Sequence, residues 1–476
     1  MSCEDYLDIN VDPNNPTSVT PDLILPTAQN YTARYVTGSS ATGRGLLGLG
    51  SLFMYNWSET YGFSWYPDEF GYVVTTSFYN GLFDNAYRNA LKQYNILDEL
   101  EGSEYKNYQA IGKIMKAYHF QLLVDLYGDV PYSEALGRSA NATPKYDDSQ
   151  VIYDSLVVEL ETAVALINEA AAMDVVEVPG VDDGMFNGDM LRWKQFAHSV
   201  KLRILVRESD ISGNSAKITA GIEAINQEGS GYITSDASVD LGYLNEEGKQ
   251  TPYWSLYGAT VDGTVTLTND ATCATQFILD YLSGTNDARI SRLYEEPATG
   301  HAGIDQGAPQ AVTQSADFVS NIGPGVMSSA TQPAVLMTVA ENNFNLAEAS
   351  LKGFPTNGTA EAFYNSGVQA SFTQLGAGNA TGYLSQPVDN VNYAASADKL
   401  EAIITQKWIA TNGTTAGQSW FDYNRTGYPS NLPVSMDASS TDRPVRLFYP
   451  ASERNTNTEN VPAQPDAFSS KVFWAQ

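Results

Sequence analysis

Histidine and cysteine are the scarcest reactive residues here: the 476-residue chain holds three His and two Cys. Two cysteines cannot build a disulfide scaffold, and a chain of this length buries ample surface without one. Cys273, inside TNDATCATQFIL, is therefore expected as a small buried apolar residue. His119 and His198 fall in apolar-faced helical segments and His301 in a loop, far apart in sequence. There is no H-E-x-x-H, no G-x-S-x-G and no Cys/His spacing of a zinc site, so metal-based and charged-nucleophile catalysis are unsupported. Positive charge is scarce as well. Lys and Arg total 26 against 55 Asp and Glu, a formal charge of −29 that repels polyanions and argues against nucleic acid as a partner. The longest apolar run, LLGLGSLFMY at 46–55, is half of what a membrane helix needs, and no signal peptide is visible.

What is present is helical rhythm. Residues 1–40 are rich in Asn, Pro, Thr and Ser and read as an extended leader. A helix is expected to begin near Ser40 to Thr42 and run through LLGLGSLFMYNW. In YQAIGKIMKAYHFQLLVDLYG the apolar positions Tyr108, Ile111, Met115, Tyr118, Leu122 and Leu126 recur every three or four residues, the stripe of a long amphipathic helix. Gly128 is placed to end it and Pro131 to forbid its resumption. The same period returns at Ile152, Leu156, Leu160, Ala163 and Ile167, in the segment beginning MLRWKQFAHSV, and again in three segments between 336 and 410. Paired helices of this kind suggest a tetratricopeptide-like scaffold, although no clean consensus repeat is present. Between 229 and 332 the composition turns to Gly, Thr, Ser and Asp with strand-like pieces such as TVTLT. This is an insertion on the helical frame, and such segments commonly carry function.

Two motifs fail on inspection. GRGLLG at 43–48 matches G-x-G-x-x-G but lacks the preceding buried strand, so small residues permitting close helix packing explain it better. Asp8, Asn10 and Asp12 alternate like the start of a calcium loop, yet Pro13 replaces the required Gly and no acid closes the loop. The informative clusters are aromatic. YNWSETYGFSWYPDEFGY at 55–72 and TPYWSLYG at 251–258 set Trp57, Trp65, Tyr66, Tyr253, Trp254 and Tyr257 among Asn, Ser, Asp and Gly. Aromatic faces beside amides and carboxylates suit sugar rings, while the same residues also dominate protein cores.

The segment YQAIGKIMKAYHFQLLVDLYGDVPYSEAL resembles the SusD/RagB family of surface nutrient-binding lipoproteins of Bacteroidetes. Further similar blocks follow in family order: LRWKQFAHSVKLRILV, QPAVLMTVAENNFNLAEASLKGF, IITQKWIA, SWFDYNRTGYP and RPVRLFYPASERNTNTEN. Asn424 departs from the pattern, standing before Arg425 where the family tends to carry two arginines. The resemblance implies a mostly α-helical, SusD-like single domain over 1–476, with the leader at 1–40, helical scaffold at 83–228 and 333–425, and a variable ligand-facing insertion at 229–332.

It also implies a function without chemistry, cofactor or metal. Such a protein captures oligosaccharide at the cell surface and delivers it to a SusC-like TonB-dependent transporter of the outer membrane. The six aromatics named above are the candidate face. Cys3 matches the lipid-bearing cysteine left when the family's lipoprotein signal is cleaved, with Glu4 and Asp5 resembling the acidic export tract, so the lipid at Cys3 would be the only contact with the membrane. Three alternatives stay open: peptide capture as in the RagB-like branch, glycoside hydrolysis by a carboxylate pair, and a helical-repeat adaptor that binds no small ligand.

Overall fold

Five of the long helices start where a side chain caps them. Asp148 accepts hydrogen bonds from the Gln150 and Val151 amides at the start of Ser149–Ala171, and Asp189 from Leu191 and Arg192 at the start of Met190–Arg207. Thr338, Thr359 and Asp398 do the same for Val339–Leu351, Ala360–Leu375 and Lys399–Thr411. As expected, Gly128 ends the Lys106–Tyr127 helix: its φ of 75° is open to glycine, and its N–H closes on Val124 O.

The computed structural model describes residues 20–137 and 141–475. Cys3 and the Asp8, Asn10, Asp12 segment lie outside the described residues. The helices pack in succession: Lys106–Tyr127 on Ser149–Ala171, that on Met190–Arg207, which meets both Ser215–Glu228 and Val339–Leu351. Val339–Leu351 then packs on Ala360–Leu375 and Lys399–Thr411, and Lys399–Thr411 on Ala416–Thr426. Strands among the described residues form two-stranded antiparallel pairs. One pair, Ala237–Val239 with Ala334–Met337, joins two segments far apart in the sequence. The result is a mostly α-helical single domain.

The structure corrects several expectations. Residues 21–37, read as extended, form the helix Pro21–Thr37, with Pro21 in its first turn, where a missing N–H costs nothing. The next helix starts later than expected, at Leu46–Phe53, because Gly38–Ser39 and Gly43–Arg44 pair as a short hairpin first. TVTLT is not a strand; Thr266 caps a short helix, Leu267–Ala271. The Lys106–Tyr127 helix is buried on nearly all sides from Ile114 onward, rather than along one stripe, because neighbouring helices enclose it.

Close packing is found at two of the three glycines of the GRGLLG segment, Gly45 and Gly48, whereas Gly43 has open space around it. A Cβ added at Gly45 would lie 2.4 Å from Gly38 N, and one at Gly50, a turn further on, 2.3 Å from the backbone of Ala416 and Gly417. Gly50→Ala is expected to lower stability by about 1–3 kcal/mol, read by urea unfolding, since backbone rather than a mobile side chain must yield. Cys273 is fully buried in the strand Thr272–Ala274, and burial pushes its thiol far above the ordinary range. A thiol reagent such as DTNB should therefore leave it unmodified in the native protein and titrate it only after denaturation.

A buried ion network ties the later helices together. Arg425 pairs with Glu348 at 2.6 Å, Arg207 with Asp125, and Lys407 with Asp422 at 2.7 Å. Asn424, the departure from the family pattern, donates its amide to Val445 O at 3.0 Å and so anchors the following segment.

Candidate ligand-binding site

Four of the six sequence-derived aromatics are in the core. Trp57 is 1 % exposed, Tyr66 and Tyr257 0 %, and Tyr253 4 %. Their burial has one cause: the two aromatic stretches pack on each other. The strand Trp57–Glu59 pairs with Thr272–Ala274, the Trp57 ring lies 5.1 Å from Tyr257, Tyr257 meets Tyr253 edge-on, and Tyr66 shares a hydrogen bond with the Thr272 hydroxyl. Rings so enclosed offer no face to a ligand. Trp254 is half-buried, lying so close over Gly258 that a Cβ there would be 2.4 Å from the indole. Trp65 alone among the six is exposed, at 37 %.

The loop carrying Trp65 is held rigidly. Glu59 accepts the backbone N–H groups of both Trp65 and Tyr66, Tyr61 N donates to Gln314 O at 3.0 Å, and the Arg44 guanidinium donates to Trp65 O at 2.9 Å. Burial raises the Glu59 carboxyl above its ordinary range, against the lowering effect of the two N–H donors and Arg44. On this loop Phe63 meets Trp65 edge-on at 6.1 Å, and Tyr61 is 42 % exposed. Tyr61, Phe63 and Trp65 thus form an outward aromatic rim that includes two residues sequence reasoning did not single out.

Arg44 connects this rim to a cavity. Its guanidinium lies over the Tyr66 ring at 4.8 Å and pairs with the buried Glu69 at 3.2 Å, while its side chain lines a concavity of about 670 Å³. Tyr31, Arg34, Tyr79, Asn85 and Arg88 share that lining. A π-helical turn, Ala86–Leu91, carries Arg88 and Asn89 to the wall; such turns recur at functional sites. A second concavity of about 1030 Å³ adjoins it across Arg34 and Ala41, lined further by Ser39, Tyr243 and Gln250. Sequence reading missed Arg34 and Tyr31 because they sit in the segment read as extended, and Arg44 because it lay inside a motif rejected on other grounds.

The three histidines are apart. His119 is fully buried, hydrogen-bonded to the Thr32 hydroxyl, with its pKa lowered to about 3 by burial. His198 contacts Gly231 O and His301 the Ser320 hydroxyl. Among the described residues no group of His, Cys, Asp and Glu gathers as a metal site, and no helix is long and apolar enough to cross a membrane. The arrangement offers ring stacking and hydrogen bonding to hydroxyls from amides and guanidiniums.

A family profile described as "Starch-binding associating with outer membrane" matches residues 13–450. The chain belongs to this SusD-like family. The SusD-like fold is found in solved structures over nearly the full length. A SusD homolog from Bacteroides vulgatus has a TM-score of 0.78 at 24 % identity, with 95 % of this chain and 97 % of that one covered. A chitin-binding SusD homolog from Flavobacterium johnsoniae gives 0.79 at 21 % identity, covering 95 % and 98 %. A SusD-like protein from Bacteroides thetaiotaomicron gives 0.76 at 22 % identity, covering 96 % and 99 %. No curated protein matches this SusD-like sequence.

Proposed function

We propose that this chain captures oligosaccharides at the bacterial surface and passes them unaltered to a SusC-like TonB-dependent transporter, held to the outer membrane by lipid on Cys3. The observation that carries the reading is the fixed outward rim of Tyr61, Phe63 and Trp65 beside a cavity walled by tyrosine, asparagine and arginine. A pyranose stacks its C–H face on such rings while its hydroxyls meet amides and guanidiniums. The family description and the chitin-binding homolog from Flavobacterium johnsoniae support it. Each polar contact replaces one to water, so affinity comes mainly from the rings and is modest.

Trp254 remains in the proposal only as a half-buried edge; the four buried rings do not. The test is electrophoresis through gels containing soluble polysaccharides, with reducing ends assayed in the same incubations. Retardation without new reducing ends is the expected result. Accumulating reducing ends, or no retardation by any polysaccharide, would overturn the reading. Mass spectrometry of the native N-terminus tests the anchor, and an unmodified Cys3 thiol rejects it. Co-purification of an outer-membrane barrel from native membranes tests the partner.

A further inference from the structure

The charge of the cavity runs against the charge of the protein. The chain carries 55 acidic residues, yet among the described residues none lines the 670 Å³ concavity, whereas three arginines do: Arg34, Arg44 and Arg88. Among the described residues only Arg44 of the three has a carboxylate partner, Glu69, which is 2 % exposed and stands outside the lining. Arg88 is exposed and donates to the Asn85 side-chain oxygen at 2.8 Å, a neutral acceptor. Arg34 makes no ion pair among the described residues, and its Nε–H is enclosed without a hydrogen-bond partner. A buried donor left idle is costly and uncommon. The adjoining concavity is balanced, with Glu247 and Asp262 in its wall beside Lys249 and the shared Arg34.

We infer that the arginine-lined cavity takes the anionic group of an acidic oligosaccharide, a carboxylate or a sulfate ester on the sugar ring, while the chain's neutral part extends over the Trp65 rim and the neighbouring concavity. This rests on the oligosaccharide reading above and names the ligand class for that site. Two considerations carry it. Guanidinium presents a planar fork that matches carboxylate and sulfate oxygens in pairs, and Arg34 and Arg88 have such donors uncommitted to any carboxylate. In a −29 protein an anion is repelled by the overall field, so it is accepted only where local positive charge outweighs that field, and this cavity combines three guanidiniums with no acid from the described residues in its lining. The asparagines Asn80, Asn85 and Asn89 then supply hydroxyl partners.

The experiment is affinity electrophoresis of the full chain against polygalacturonate, alginate and chondroitin sulfate, with methyl-esterified pectin, xylan and amylopectin as neutral counterparts. At least one acidic polymer should retard the protein more than its neutral counterpart, and added salt should weaken that retention. Arg34→Gln and Arg88→Ala should each lower it by about tenfold, the scale of a lost hydrogen bond to a charged group. Arg88 is exposed, so its replacement keeps the test available if Arg34→Gln does not fold. Retention of the polygalacturonate or alginate arm assigns the carboxylate, and of the chondroitin arm the sulfate or its uronate, separated by desulfated chondroitin. Binding of neutral polymers alone, or acidic binding unchanged in both arginine variants, overturns this inference and leaves oligosaccharide capture standing. No saccharide retained, or acidic peptides retained in their place, overturns both.

Discussion

Trp65→Ala weakens polysaccharide binding by about 2 kcal/mol or more, roughly 30-fold in Kd, and leaves the melting temperature nearly unchanged. The two effects separate because the ring and the loop are supported independently. The loop's geometry comes from backbone groups: Trp65 N–H on Glu59, Trp65 O on Arg44, Tyr61 N–H on Gln314 O. None of these is lost when the indole is removed. The ring itself is 37 % exposed and touches Phe63 edge-on, so little packing goes with it. Trp57→Ala is the contrasting case. That ring is 1 % exposed against Tyr257, and its removal costs about 3–5 kcal/mol of stability. Titration calorimetry of each variant with a retained polysaccharide, paired with a thermal melt, checks both halves. A Trp65→Ala protein that binds as the parent does removes this residue from the site.

Asp422→Asn lowers the unfolding free energy by about 3–5 kcal/mol, the cost of leaving buried cations uncompensated. Asp422 is 2 % exposed and faces three of them. Lys407 Nζ, hydrogen-bonded to Asn345 at 2.7 Å, stands 2.7 Å from the carboxylate as an ion pair, with Arg425 at 3.6 Å and Arg207 at 3.7 Å. Arg207 keeps Asp125 and Arg425 keeps Glu348 after the change, whereas Lys407 has no other carboxylate partner among the described residues. The same network sets an acid limit. Burial opposes the Asp422 charge, but Lys407, Arg207 and Arg425 more than offset it and hold the carboxyl below its ordinary value of 3.8. The unfolded chain therefore takes up this proton at higher pH than the folded one. The stability it contributes is whole above the unfolded value and is lost as pH falls through the folded one. Urea unfolding between pH 7 and pH 3 should show a steeper acid decline in the parent than in Asp422→Asn; parallel curves would contradict the assignment.

Most of the helical frame was legible because its signals are local. Periodic apolar residues at Ile152, Leu156, Leu160, Ala163 and Ile167 are all buried, and a glycine after Tyr127 ends a helix regardless of what surrounds it. The Pro21–Thr37 helix escaped notice although its buried positions follow the helical period, since several of them are polar. Gln29 donates to Asp183 at 2.8 Å, and Thr32 bonds Tyr94 and His119, so hydrogen bonds stand where an apolar stripe would have been read.

The site was less legible for a related reason. Aromatic residues among polar ones describe a sugar platform and a core equally well, and which they become depends on what folds against them. Trp57, Tyr253 and Tyr257 found each other across 200 residues of chain and Tyr66 met Thr272, and all four were enclosed. Trp65, one residue from Tyr66, was turned outward by a carboxylate that fixed the backbone between them. The arginines of the cavity come from three separate segments and leave no trace in any window of sequence, least of all in one whose totals are so acidic.

The most direct measurement is a tryptophan-emission titration with a soluble polysaccharide retained in the gel screen, followed by sizing of the recovered polymer. Trp57, Trp193, Trp408, Trp420 and Trp474 are each below 2 % exposed, so Trp65 is the indole most open to added polymer. A saturable change in emission that is abolished in Trp65→Phe, with the polymer recovered at its original length, is the result expected of a surface that holds sugar and does nothing further to it. Emission unchanged by every polysaccharide, an undiminished response in Trp65→Phe, or a shortened polymer would contradict it.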